Sequence, residues 1–180
     1  MASNRPAHPS RTTSRKREHV ALTLREDVGF RTKTTGLERW TFEHNALPEL
    51  SFAEIDLSTS FLGRTLGLPL MVSCMTGGYA GALRINRTLA AVCEEFQIVM
   101  GVGSERQALE SGRYRRTFSV VREAAPTIPV IGNLGAAEVA RLRSADPVRR
   151  LAELIRADAF AVHLNPLQEF VQPEGTPDFR

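Results

Sequence analysis

The chain has 180 residues, 42% of them hydrophobic, with one Trp, nine Phe and a formal charge of +3; this suits one folded domain with a real core and excludes a disordered tail. No apolar run approaches the roughly 18 residues that span a bilayer, and no apolar signal-peptide core follows Met1-Ala2-Ser3-Asn4-Arg5, so the expectation is a cytoplasmic protein with no membrane partner. Much of the positive excess is arginine in the first 17 residues, which argues against a nucleic-acid partner and leaves an anionic small molecule open.

Residues 1–14 hold Pro6, Pro9, several Ser and Thr and no acid, and read as a disordered arm. A helix is expected over Arg15 to Arg25, with Ser14 as its N-cap. It opens a segment, 15–67, of helix and prologue: Thr35 to Gly67 is poor in helical period, contains Pro48 and Gly63, and alternates partly over Phe52 to Phe61, the pattern of a small hairpin lid.

Four apolar runs then recur, Leu68 to Cys74, Ile98 to Val102, Ile128 to Ile131 and Ala159 to Leu164, with starts 30, 30 and 31 residues apart. The first three each lead into a stretch of helical period. Ile85, Leu89, Val92 and Phe96 mark the stripe of the first helix, and Asp146-Pro147 starts another that carries Val148, Leu151, Leu154 and Ile155 on one face. Strand, loop and helix in repetition define an α/β fold with a parallel sheet. Residues 68–180 therefore read as the first half of a (β/α)8 TIM barrel, about four of eight strands, since such barrels take about 250 residues. The chain is then either a piece of a longer protein or one completed by another chain. Cys74 and Cys93 fall in a predicted strand and helix, which suits buried thiols better than a disulfide, and no CxxC or Cys/His spacing marks a metal site.

The polar residues gather after the strands, the edge at which β/α barrels bind ligands. Arg15 and Lys16 are adjacent cations at a helix start, where free N–H groups also favour a diphosphate; a solvated basic pair is the alternative. Met75-Thr76-Gly77-Gly78 is either a tight turn or a loop whose backbone approaches a planar ligand closely. Ser104 and Asn133 are cap or turn residues, or hydrogen-bonding groups of one pocket. Arg106 offers a planar fork to diphosphate oxygens, or an ion pair to Glu105 or Glu110. His163 and Asn165 alternate with apolar Val162 and Leu164 and so face one side of the sheet, followed by Gln168 and Glu169.

Taken in order, Arg15-Lys16-x-x-His19, Met75-Thr76-Gly77-Gly78, Gly103-Ser104-x-Arg106, Gly132-Asn133-x-Gly135, and His163-x-Asn165-x-x-Gln168-Glu169 with Gln172-Pro173-Glu174-Gly175 resemble the N-terminal half of the type 2 isopentenyl-diphosphate isomerases. The resemblance implies a barrel that uses FMN, reduced by NADPH, and Mg2+ to interconvert isopentenyl and dimethylallyl diphosphate, and a homo-oligomer at full length. It implies Arg15 and Lys16 as the diphosphate anchor, with Ser104, Arg106, Asn165 and Gln168 also on the substrate. Met75, Thr76, Gly77, Ser104 and Asn133 would contact the flavin, Gln168 and His163 would serve catalysis, and Glu169 would hold the metal. A related FMN-dependent oxidoreductase and a non-catalytic half barrel are the rival expectations.

Overall fold

The computed structural model describes residues 11–172 together with 175 and 177, with side chains from Thr13 onward. Most of the expected arm, residues 1–10, and Pro173 and Glu174 lie outside the described residues.

Helix α1, Arg11–Arg25, begins four residues before the expected start, so Ser14 stands inside it and not at its cap. The cause is tertiary: the buried Thr13 hydroxyl donates to the Gly78 carbonyl at 3.2 Å, docking the first turn onto the loop after the first long-range strand. The prologue that follows is exposed and extended, with single 3₁₀ turns at Leu37–Arg39 and Phe52–Glu54. The Ser51 side chain accepts from the backbone of the second turn while Glu54 bonds back to the Ser51 N–H, a capping box that takes Phe52 out of the expected hairpin. The hairpin lies later, β1 (Thr59–Phe61) against β2 (Arg64–Leu66), because Leu62 and Gly63 adopt φ of 50° and 73° and close a two-residue turn.

The four apolar runs form one parallel sheet, β3 (Met71–Val72), β4 (Val99–Gly101), β5 (Val130–Gly135) and β6 (Ala159–His163), paired in chain order. Helical crossovers connect them: α2 (Ala82–Glu95), then α3 (Arg106–Glu110) with α4 (Arg116–Ala124), then α5 (Ala136–Val139) with α6 (Asp146–Ile155). The α/β class and the parallel sheet expected from the sequence are present, and the described residues show no closed sheet. A short helix α7 (Pro166–Val171) follows β6 where a loop was expected. The core lies between sheet and helices and includes Met100, Phe118, Val121, Val130, Leu134, Leu151 and Ile155, all buried. Leu151 and Ile155 belong to the face that was read for α6.

Of the apolar stripe read for α2, Leu89 packs against the core and Ile85 is partly buried, but the C-terminal half is not on the packed face. Val92 and Phe96 are 41% and 52% exposed. The helix instead buries Ala82, Asn86, Ala90 and Cys93, small side chains that let it approach α4 closely. Asn86 is held there by its amide, which donates to the Thr117 carbonyl at 2.7 Å and to the Thr76 carbonyl at 3.2 Å. A polar residue was thus masked as solvent-facing in the sequence pattern, although its hydrogen bonds are what permit its burial. Cys93 is buried, Cys74 half-buried, and both are free thiols, as expected.

At the N-terminal end of the sheet Asp158, just ahead of β6, accepts from the Val130 N–H at 2.8 Å, from Arg122 at 2.5 Å and from Arg64 at 2.6 Å. Arg122 also donates to the carbonyls of Ile128 and Arg156. This knot ties β2, α4, β5 and β6 together at the end away from the polar residues.

Candidate functional site

The C-terminal ends of the four strands surround a cavity of about 420 Å3. Every candidate residue from the sequence except Thr76 and Gly77 lines it. Helix α1 contributes Arg15, Lys16 and His19; Met75 follows β3; Ser104 and Arg106 follow β4; Asn133 lies within β5 and His163 ends β6. Asn165, Gln168 and Glu169 come from the turn and helix after β6, so α7 brings them back over the strand ends.

Thr76 and Gly77 also hold the fold together. The Thr76 side chain is hydrogen-bonded to Asn86 and so faces α2. Gly77 has φ of 150°, and a Cβ there would lie 2.0 Å from the Phe118 ring, so only glycine lets the loop cross the core helix. Both line a smaller hollow of about 180 Å3 beside α1.

Lys16 is the most perturbed cation. Its Nζ donates to the Ser104 carbonyl at 2.5 Å and stands 5.3 Å from the centre of the Phe118 ring. Burial, and then the charge of Arg15, lower its pKa to about 7, against the opposing attraction of Glu105 and Glu110. Arg15 donates to Gln172 Oε1 at 2.9 Å, which ties the two chain ends of the site together. Arg106 pairs with Glu110 at 3.1 Å, one of the partners expected, and with Glu138 at 3.0 Å, which the sequence reading did not consider. Glu138 follows Gly135 by three residues on α5, a first-turn acid legible only once the helix is placed. Glu105 makes no ion pair with Arg106 in the structure.

Asn133 and His163 form the floor. His163 Nδ1 and Asn133 Oδ1 lie 2.9 Å apart. A Cβ at Gly135 would meet His163 Nε2 at 3.1 Å, so the glycine opposite His163 in the β5–β6 register leaves room for the ring. Burial lowers the His163 pKa, with Lys16 and Arg15 adding to it and Glu169 opposing. Asn165 Nδ2 donates to Gln168 Oε1 at 2.6 Å. Glu169 is 9% exposed. Ser73 and Cys74 also line the cavity and had not been picked out as site residues.

The donor set fits a planar ligand with polar edges: Ser104, Asn133 and Lys16 on one wall, and the thioether of Met75, 77% exposed, at the rim. Among the described residues no group of three or more His, Cys, Asp or Glu is placed to hold a metal ion.

A parallel sheet with this ligand edge defines a class that comparison with known proteins makes specific. Residues 9–111 match the model of the FMN-dependent dehydrogenase family, and the chain belongs to that family. It is 55% identical over 171 residues to a protein of Pelodictyon phaeoclathratiforme named isopentenyl-diphosphate delta-isomerase, covering 95% of this chain and 48% of that protein. A protein of the same name from Chlorobaculum parvum is 54% identical over 169 residues (94% and 47%), and one from a Nostoc species 43% over 171 residues (95% and 49%). The chain spans about half the length of the curated relatives it matches. The resemblance read from the motifs is thus borne out. Among the described residues no helix is long and apolar enough to cross a membrane.

Proposed function

We propose that this chain carries the N-terminal part of an isopentenyl-diphosphate delta-isomerase, its four parallel strands being about the first half of a (β/α)8 barrel. The reaction interconverts isopentenyl and dimethylallyl diphosphate, using FMN reduced by NADPH and a Mg2+ ion, in a cytoplasmic homo-oligomer serving isoprenoid synthesis. The observation that carries this is the convergence of Arg15, Lys16 and Glu169 on the same cavity as Ser104, Asn133, His163 and Gln168. Cations for a diphosphate, one carboxylate for its metal, and neutral polar groups for a flavin edge are what such a substrate and cofactor need.

Moving a double bond by one position adds a proton at one carbon and removes one at another, with no net oxidation. An alkene is a weak base, so the site must hold an acid in a dry pocket and stabilise developing positive charge. Reduced FMN, when bound, supplies acid–base and charge-stabilising chemistry at the double bond. Arg15 and Lys16 would hold the diphosphate, with Arg106 and Asn165 beside them, and Glu169 would hold the metal that neutralises its charge. With FMN bound, Met75 would lie beside the flavin and Ser104 and Asn133 would offer hydrogen bonds to its polar edge. Gln168, fixed by Asn165, and His163, fixed by Asn133, face the reacting carbons; a neutral His163 can hold or pass a proton at Nε2.

The test is an anaerobic assay of the full-length protein whose N-terminal part this chain forms, with FMN, NADPH, Mg2+ and isopentenyl diphosphate, read by formation of the dimethylallyl isomer. Product formation with no net consumption of reduced flavin supports the proposal. One observation favours a second reading: the family description is that of a dehydrogenase. A hydroxy acid or other substrate that reduces oxidised FMN, with no isomer formed, would establish that reading instead.

A further inference from the structure

Between α1 and the β1–β2 hairpin, residues 27–58 make hydrogen bonds only with one another among the described residues, none reaching beyond four positions along the chain. Gly36 apart, every one of them is exposed. The segment is nonetheless rich in large apolar side chains. Trp40, Phe42 and Phe52 are 80%, 96% and 90% exposed, and Phe30, Leu37 and Leu47 stand out of the fold as well. A slack connection is polar and rich in Gly and Ser. An aromatic side chain buries about 150–250 Å2, so these four aromatics supply roughly the 800 Å2 that each side of a specific interface contributes, above the largest apolar patch of an ordinary monomer.

The segment is pinned at opposite ends of the sheet. α1 is docked at the cavity end, through Thr13 on Gly78 and Lys16 on Ser104. The hairpin is docked at the other end, where Leu66 packs with Val99 and Ile131 and Arg64 donates to the Thr127 carbonyl and to Asp158. An extended chain advances about 3.3 Å per residue, so about ten residues would span strands of this length. The surplus carries two 3₁₀ turns and a capping box, and so has a shape of its own. β3, the strand that the hairpin leads into, is bare too: among the described strands it pairs only with β4, and Leu70 and Met71 are more than half exposed.

A single body that pairs with the free edge of β3 and covers the segment leaves neither exposed. A second copy laid on the segment leaves that edge unpaired. The chain spans about half the length of the curated relatives it matches, and its strands follow one another in order from β3 to β6, so in a sheet that closes the last strand returns to β3.

We infer that residues 27–58 form a strap seated on the second half of the same polypeptide, across the helices that flank the strand closing against β3. Its occupant is an amphipathic helical surface, apolar where a barrel helix otherwise faces water. The strap fastens the two halves from outside and holds α1, with Arg15 and Lys16, at the cavity. The inference rests on the functional proposal for the half-barrel reading alone, and not on the reaction.

The test uses the full-length protein whose N-terminal part this chain forms, with Phe42→benzoylphenylalanine as a photoreactive probe at an exposed position. On a denaturing gel a link within one polypeptide leaves the mass of a single chain, and a link to a second copy doubles it. The expected product has the single-chain mass and joins position 42 to a peptide beyond residue 180. Tryptic cleavage after Arg31, Lys33 and Arg39 is expected to be at least about tenfold slower than in the 180-residue chain. A doubled mass assigns the strap to a second copy and overturns the inference. A link back into residues 1–180, no link at all, or cleavage at the same rate in both proteins overturns it as well. A protein that links as expected but forms no isomer refutes the reaction and leaves the strap in place.

Discussion

His163 Nδ1, at the end of β6, lies 2.9 Å from the side-chain oxygen of Asn133 in the neighbouring strand β5. Because an amide oxygen only accepts, the bond fixes the neutral ring with its proton on Nδ1 and leaves Nε2 as an acceptor. Burial keeps the ring neutral by lowering its pKa. Asn133→Ala should therefore abolish the single tautomer, seen as averaging of the two ring nitrogens in 15N NMR. In the full-length enzyme proposed above, the variant should lower isomerase activity roughly 100-fold. A ring that keeps its Nδ1 proton in the variant would show that Asn133 does not choose it.

Lys16 supplies a pH dependence. With its pKa lowered to about 7, Lys16 in the empty cavity carries charge below that pH and loses it above. Attraction for a diphosphate should weaken as pH rises through neutrality, apart from the ligand's own ionisation. In Lys16→Arg the charge persists at every accessible pH. The affinity ratio of unmodified chain to variant for inorganic diphosphate should then fall by about tenfold from pH 6 to pH 8.5. A flat ratio would mean that Lys16 does not titrate in this range.

Gly77 and Phe118 are the packing test. Gly77→Ala adds a methyl where the ring already stands, at a φ that alanine avoids. It should cost at least about 2 kcal/mol in urea unfolding. Phe118→Ala, at a fully buried position, should cost about 3–5 kcal/mol. The double variant should be less unstable than the sum, since the smaller side chain makes room for the added methyl. Simple additivity would show that the backbone angle, and not the contact, limits Gly77.

Asp158 gives the acid limb of stability. Burial opposes its ionisation, but the Val130 N–H and the guanidiniums of Arg122 and Arg64 outweigh it and hold the carboxyl below its usual range. A depressed carboxyl contributes stability above its unfolded pKa of about 4 and loses it as pH falls through the folded value. Asp158→Asn should lower stability at pH 7 by roughly 3 kcal/mol and flatten the decline below pH 4. An unchanged acid transition would assign that decline to other carboxylates.

The sheet was legible because four apolar runs recur at a spacing that strand plus crossover fills. The site was legible for a related reason: parallel strands deliver their following residues to one edge, so Met75, Ser104, Asn133 and His163 had to meet. What misled was local pattern set against distant contacts. Thr13 extends α1 through a bond to Gly78, far along the chain, and in α2 the Val92 and Phe96 end of the stripe is exposed while alanines and an asparagine bonded to Thr117 of α4 are buried. Glu105 looked like a surface acid beside Arg106 because nothing in its neighbours signals enclosure. Its burial follows from the packing of β4 against β5, a relation between segments and not a property of either.

The knot at Asp158 and the cavity at Asn133 and His163 occupy opposite ends of the same strands. Genetic lesions should accordingly sort into two kinds. Changes at Arg64, Arg122 or Asp158 lower the amount of folded protein, so cooler growth or a second stabilising substitution elsewhere can suppress them. Changes at the cavity leave a well-folded chain that no such suppressor restores. A screen for suppressors would trace the border between the two ends without any assay of the chemistry.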